Sequence, residues 1–90
     1  MTDSTRYSNE MTKWIRKHKE AASRYDDDAL HSTNLLENGI LDSLDLLDLI
    51  SNLEEAFSCK IELGEFDDHD LRTIQTIAMR IEAQTDLQKS

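Results

Sequence analysis

The chain has 90 residues, 38% of them apolar, with no proline and two glycines. That length allows one domain with a small core, since about 60% of the unfolded surface is buried at this size, and the composition disfavours both disorder and a turn-rich β sandwich. The formal charge of -9 is uneven: residues 1–24 hold six Lys or Arg against three acids and the remainder four against sixteen, so the main body would repel nucleic-acid phosphates.

In chain order, the first seven residues are polar and are expected to fray. Met11, Trp14, Ile15, His18, Ala22 and Tyr25 then recur at three- and four-residue steps, which predicts a first helix with Ser8 or Asn9 as its N-cap. Its basic cluster, Lys13, Arg16, Lys17 and Lys19, reads as a solvated face. From Asp26 to Leu41 the period breaks, predicting a long first loop anchored by Leu30, Leu35, Leu36, Ile40 and Leu41. Asp26, Asp27 and Asp28 read as a solvated turn, because the alternating acids, central glycine and final glutamate of a calcium loop are absent.

A second main helix is predicted over Ser43–Phe57. At 100° per residue, Leu46, Leu49, Ile50, Leu53, Ala56 and Phe57 share a core arc, while Ser43, Leu44, Leu47, Asp48, Ser51, Glu54 and Glu55 face outward. Ile61 and Leu63 read as a short extended connection and Gly64 as a flexible point. Asp67 to Leu71 reads as a short third helix. Thr73 caps a final helix whose buried stripe is Ile74, Ile77, Ala78 and Ile81, and residues beyond about Gln84 have little to bury. The expected fold is all-α: a four-helix bundle of three main helices plus a short third helix, with a long first loop. The folded domain is expected over 8–84, with flexible ends at 1–7 and 85–90.

Few residues offer chemistry of their own. Cys59 is the one cysteine, so no internal disulfide forms, and a lone cysteine without a nearby base is usually a packing residue. With no long apolar run for secretion or membrane insertion, a cytoplasmic protein with no membrane span is expected. His18 and His69 lack the partners of a metal site, so no metal is expected. Ser43 has no adjacent base and no glycine elbow, which argues against catalysis by the chain.

Ser43 nevertheless stands out. It lies within Asp42-Ser43-Leu44-Asp45, inside a stretch from Asp26 to Cys59 that carries nine acids and no Lys or Arg. Asp42 and Asp45 have the spacing of a capping box, which places Ser43 in the first turn of its helix, where the dipole favours a phosphoester. Leu44 and Leu47 on the outward arc amid carboxylates read as a contact surface. A non-covalent acidic adaptor would use that surface as well, but would have no need of the hydroxyl.

With Gly39-Ile40-Leu41-Asp42-Ser43-Leu44, Asp45-Leu46-Leu47-Asp48-Leu49-Ile50, Leu53-Glu54-Glu55-Ala56-Phe57 and Thr73-Ile74-Gln75, the chain resembles the acyl carrier protein family, including peptidyl carrier domains, from about Met11 to Ala83. The resemblance implies a protein that is no enzyme itself. A phosphopantetheinyl transferase would move 4'-phosphopantetheine from coenzyme A onto Ser43, and the arm would carry an acyl or aminoacyl group as a thioester. It further implies that Asp42 serves transferase recognition and that Leu44, Leu47, Asp48, Glu54 and Glu55 meet partners. Those partners would be an adenylating enzyme or acyltransferase and a downstream synthase or transferase, met by a monomeric carrier. Gly39 stands four residues before Ser43 rather than three, which is more like free-standing carriers of specialised pathways, such as D-alanyl carriers, than those of fatty-acid synthesis.

Overall fold

A computed structural model of the chain describes residues 3–88. It contains four α-helices, α1 (Asp3–His18), α2 (Asp27–Ser32), α3 (Ser43–Phe57) and α4 (Ile74–Gln88), with 3-10 turns at Glu20–Arg24 and Leu63–Glu65 and no strand among the described residues. The all-α four-helix bundle is as expected, but the short helix is the second in the chain and not the third. Asp26 creates it: its carboxylate accepts from the Ala29 N–H at 2.8 Å, so the acids expected to form a solvated turn instead cap and begin a helix. The Asp67–Leu71 segment is one hydrogen-bonded turn, in which Asp67 and Asp70 each accept from the other's backbone N–H (2.8 and 3.2 Å).

The core is a single cluster. Met11 and Ile15 of α1, Leu49 and Leu53 of α3, and Ile74, Ile77 and Ile81 of α4 are fully buried, and α1 lies mainly along α4. The helical periodicity of each segment supplies these stripes, and their burial is the main force holding the bundle together. Leu30, Leu35, Ile40 and Leu41 anchor the first loop as expected, whereas Leu36 remains 39% exposed.

α1 departs from expectation at both ends. It begins at Asp3, so Ser8 and Asn9 lie inside it. Tyr7, assigned above to a flexible end, is buried, with its ring edge-on to Phe57 at 4.9 Å and its hydroxyl 3.2 Å from Thr85 Oγ1. Thr85 is itself buried and α4 runs on to Gln88, so the folded domain exceeds 8–84 in both directions; residues 1–2 and 89–90 lie outside the described residues. At the other end α1 stops at His18, and Ala22 is buried from the 3-10 turn instead.

α3 occupies the expected range. Leu46, Leu49, Ile50 and Leu53 are buried, while Phe57 is half-buried and Ala56, expected on the core arc, is exposed. The connection after α3 is not extended throughout, since a 3-10 turn takes up Leu63–Glu65. Gln84 holds this connection from α4, accepting from the Glu62 N–H and donating to the Glu62 carbonyl, both at 3.0 Å.

Candidate functional site

Ser43 is the first residue of α3. Before it, Gly39 takes a left-handed φ of 72°, a conformation open to glycine at little cost. It turns the chain so that Ile40 and Leu41 enter the core while their N–H groups both bond the Leu35 carbonyl (2.9 and 3.1 Å). Asp42 then emerges as the N-cap in extended geometry.

The capping box is complete: the Asp45 N–H donates to Asp42 Oδ1 at 2.8 Å and the Asp42 N–H to Asp45 Oδ2 at 3.1 Å. Leu46 N–H donates to the Asp42 carbonyl at 3.0 Å. Ser43 is exposed beside first-turn amides that have no helical carbonyl to bond. Its hydroxyl makes no hydrogen bond to the described residues, whereas those of Ser23 and Ser32 are spent on backbone carbonyls.

Asp45 has a second partner. The Lys19 ammonium, from the segment joining α1 to its 3-10 turn, lies 2.7 Å from Asp45 Oδ1. The lysine contact, followed by the Asp42 N–H, holds the Asp45 carboxyl below the usual carboxylate range against a weaker opposing effect of burial. Arg16 likewise reaches the Asp27 carboxylate at 2.7 Å and the carbonyls of Ala22 and Tyr25. Two of the four cations expected on a solvated face thus bind other parts of the bundle, Lys19 the first turn of α3 and Arg16 the start of α2 with the segment before it; Lys13 and Lys17 are exposed.

Ser43, Asp42 and Asp45 share the wall of an open groove of about 620 Å³ with Lys19, His18, Leu36 and Gly39. His18 does not bond Ser43. Its Nδ1 lies 2.9 Å from the Trp14 carbonyl and its ring stacks on Trp14 at 4.4 Å. His31 is 2.8 Å from Thr12 Oγ1, and because that hydroxyl donates to the Ser8 carbonyl, His31 Nε2 must be the donor. Among the described residues, no histidine is hydrogen-bonded to the serine, which lacks the adjacent base of an activated nucleophile.

Along α3 the outward face divides. Leu44 is 72% and Leu47 50% exposed, and Asp42, Asp48 and Glu55 stand in solvent beside them. Glu54 differs: its Oε2 accepts from the Ile61 N–H at 2.9 Å, so this acid, read above as outward, pins the loop after α3. Burial and the nearby Glu54 push the Cys59 thiol up, the reverse of what a reactive thiol needs. No group of three metal-binding side chains occurs among the described residues, and none of their helices is long and apolar enough to cross a membrane.

Residues 13–87 match the protein family described as "Phosphopantetheine attachment site". The chain belongs to that family. Among curated proteins it is similar to the D-alanyl carrier proteins of Lactococcus lactis subsp. cremoris strains MG1363 and SK11, each 42% identical over 53 residues, which span 59% of this chain and 67% of the relative. No solved structure matches it. It is thus an acyl carrier protein whose prosthetic group is 4'-phosphopantetheine. The carrier is no enzyme itself, and it works with a phosphopantetheinyl transferase and synthetic enzymes.

Lys19, Leu36 and the inward use of Glu54 escaped the sequence reading. Lys19 meets Asp45 only because α1 ends where it does, and nothing in the linear pattern links residues so far apart. Leu36 looked like one more loop anchor. For Glu54, a carboxylate one helical turn before the C-cap is a signal that could have been read, since loops after helices offer free N–H groups.

Proposed function

We propose that Ser43 is the attachment residue and that the carrier delivers an aminoacyl group in a dedicated biosynthetic pathway. The observation that carries the attachment is the unbonded, exposed hydroxyl on the first turn of α3. In the loading reaction Ser43 Oγ forms a new bond to the phosphorus that bears pantetheine. The phosphoanhydride bond of coenzyme A breaks, adenosine 3',5'-bisphosphate leaves, and the hydroxyl proton passes to a base on the transferase. The bound arm supplies a thiol that holds cargo as a thioester.

This chain's residues present the hydroxyl and the docking surface. Asp42 has one oxygen in the cap and the other open to the transferase, while Leu44, Leu47, Asp48 and Glu55 offer small apolar spots ringed by acids. Charge of this kind raises the encounter rate with basic enzymes more than it deepens affinity, which suits a shuttle that must leave. Glu54 contributes through the α3–loop junction. The likeness to D-alanyl carrier proteins and the spacing of Gly39 from Ser43 support an aminoacyl cargo loaded by an adenylating enzyme and passed to a downstream transferase. The carrier would act as a monomer in the cytoplasm.

Incubation with coenzyme A, Mg2+ and a broad-specificity phosphopantetheinyl transferase, followed by intact mass measurement, tests the attachment. One phosphopantetheine should add to the wild type and none to Ser43→Ala. No addition to the wild type, or equal addition to the variant, refutes it. Supplying the loaded carrier with an adenylating enzyme, ATP and single amino acids then tests the cargo: failure of every amino acid to form a thioester, with a carboxylic acid succeeding instead, would refute an aminoacyl group.

A further inference from the structure

Lys19 is the feature of the site that the proposed function leaves unused. Its backbone is fixed on both sides, with its N–H on the Ile15 carbonyl at 2.7 Å and its carbonyl accepting from the Ala22 N–H at 3.2 Å. Its side chain is 30% exposed, and that of its partner Asp45 18%. Both oxygens of Asp45 are occupied, Oδ1 by Lys19 and Oδ2 by the Asp42 N–H. Two carboxylates therefore stand within two residues of Ser43, but only Asp42 has an oxygen facing outward.

We propose that Lys19 is a positioning residue for the modification of Ser43: its ammonium locks Asp45 into the capping box, which fixes the first turn of α3 and neutralises one of the two acids that flank the hydroxyl. This rests on Ser43 being the attachment residue. The donor reaches the hydroxyl with a pyrophosphate and leaves a phosphodiester there, so each uncompensated carboxylate nearby opposes both the approach and the product. Without Lys19, Asp45 loses its cationic partner and keeps only its bond from the Asp42 N–H. The capping box alone then holds a turn whose Oγ must lie in line with the scissile bond, and small misplacements of a nucleophile are costly.

The test uses the full chain with purified transferase and coenzyme A, in four variants: Lys19→Met, Lys19→Arg, Asp45→Asn, and Lys19→Met combined with Asp45→Asn. Lys19→Met should lower kcat for modification about tenfold, with KM for the carrier little changed. Lys19→Arg should restore the rate to within about twofold, since it keeps the charge. The double variant should be no slower than Asp45→Asn alone, because both changes break one contact. NMR titration of Asp45 gives an independent readout: its carboxyl should titrate at higher pH in Lys19→Met.

Thermal melts establish that each variant is folded at the assay temperature. An unchanged Lys19→Met rate, a purely KM effect, multiplicative losses in the double variant, or an arginine as slow as the methionine would each overturn the proposal. If the wild type itself is not modified, it is the attachment at Ser43 that fails; a modified wild type with equally fast variants removes only the role of Lys19.

Discussion

Replacing Tyr7 tests whether the amino-terminal turn of α1 belongs to the folded carrier. Tyr7 is 6% exposed, and truncating a buried aromatic ring to alanine costs about 3–5 kcal/mol. The edge-on contact with Phe57 at 4.9 Å places Tyr7→Ala in that range rather than below it, as such pairs add about 0.5–1.5 kcal/mol beyond burial. The hydroxyl can be separated from the ring. Thr85 Oγ1 already donates to the Glu82 carbonyl, so in the Tyr7–Thr85 bond at 3.2 Å the tyrosine is the donor. Tyr7→Phe removes that bond without stranding a donor and should cost only about 1 kcal/mol.

A domain of this size has roughly 5–13 kcal/mol in total, and each kcal/mol lowers Tm by about 4–8 °C. Tyr7→Ala should therefore lower Tm by at least ~12 °C, Tyr7→Phe by about 5 °C, and a chain beginning at Ser8 should fall with the alanine variant. Thermal melts followed by circular dichroism read all three. If the truncated chain melts within about 3 °C of the full one, the contacts of Tyr7 carry no net stability and the boundary at residue 8 is restored.

Reversing two exposed acids of α3, Asp48→Lys with Glu55→Lys, should slow loading by the cognate enzyme severalfold and flatten its salt dependence, with helicity intact; unchanged kinetics would remove α3 from the contact surface. Glu54 is left out of that pair because its loss would also free the Ile61 N–H. Asp45 titrates below the usual carboxylate range when folded, so its charge stabilises the fold above the unfolded value of about 3.9 and ceases to do so as pH falls through the lowered folded value. The stability gap between wild type and Asp45→Asn, measured by urea unfolding, should hold at pH 6, narrow as pH falls below the unfolded value of about 3.9 and close only below the lowered folded value; a gap independent of pH refutes the charged contact. With its thiol pushed up by burial and Glu54, Cys59 should react with a disulfide reagent at pH 7.4 more slowly than a free thiol, and after the arm thiol of the loaded protein; equal rates would contradict that environment.

α3 was legible to the residue because two independent signals agree there: a helical stripe from Leu46 to Leu53 and an acid pair at capping-box spacing. The start of α4 was legible for the same reason, with Thr73 Oγ1 accepting from the Thr76 N–H at 3.1 Å. α2 was not, because six residues hold too few apolar positions to show a period, and Asp26 declares itself as a cap only once Leu30 is seen to be buried. The first turns of α1 failed for a different reason. Their sequence is polar apart from Tyr7, and what holds Tyr7 comes from Phe57 and Thr85, contacts that only the assembled bundle supplies. At the site the serine, its cap and the outward leucines were readable from local pattern, whereas Lys19 depended on where α1 ends.

The chain builds the same acid box twice, and the comparison separates capping from function. At 42–45 and at 67–70 an aspartate accepts from the N–H three residues on at 2.8 Å, and the second aspartate answers at 3.1 and 3.2 Å. In both boxes a carboxyl is held below its usual range by the bonds of the box, with the lysine contact leading at Asp45. Local geometry is therefore not what distinguishes a carrier site. The second box encloses Asp68 and His69 and leads into a single turn, while the first encloses Ser43 and Leu44 and opens a helix of 15 residues. Behind the second box stands Arg80, 3.8 Å from Asp70; behind the first stands Lys19 at 2.7 Å. Among the described residues, a helix long enough to present a docking face, a hydroxyl left without a hydrogen bond, and a cation close enough to hold the second acid inward occur together at 42–45 and not at 67–70, which supports the proposed attachment at Ser43.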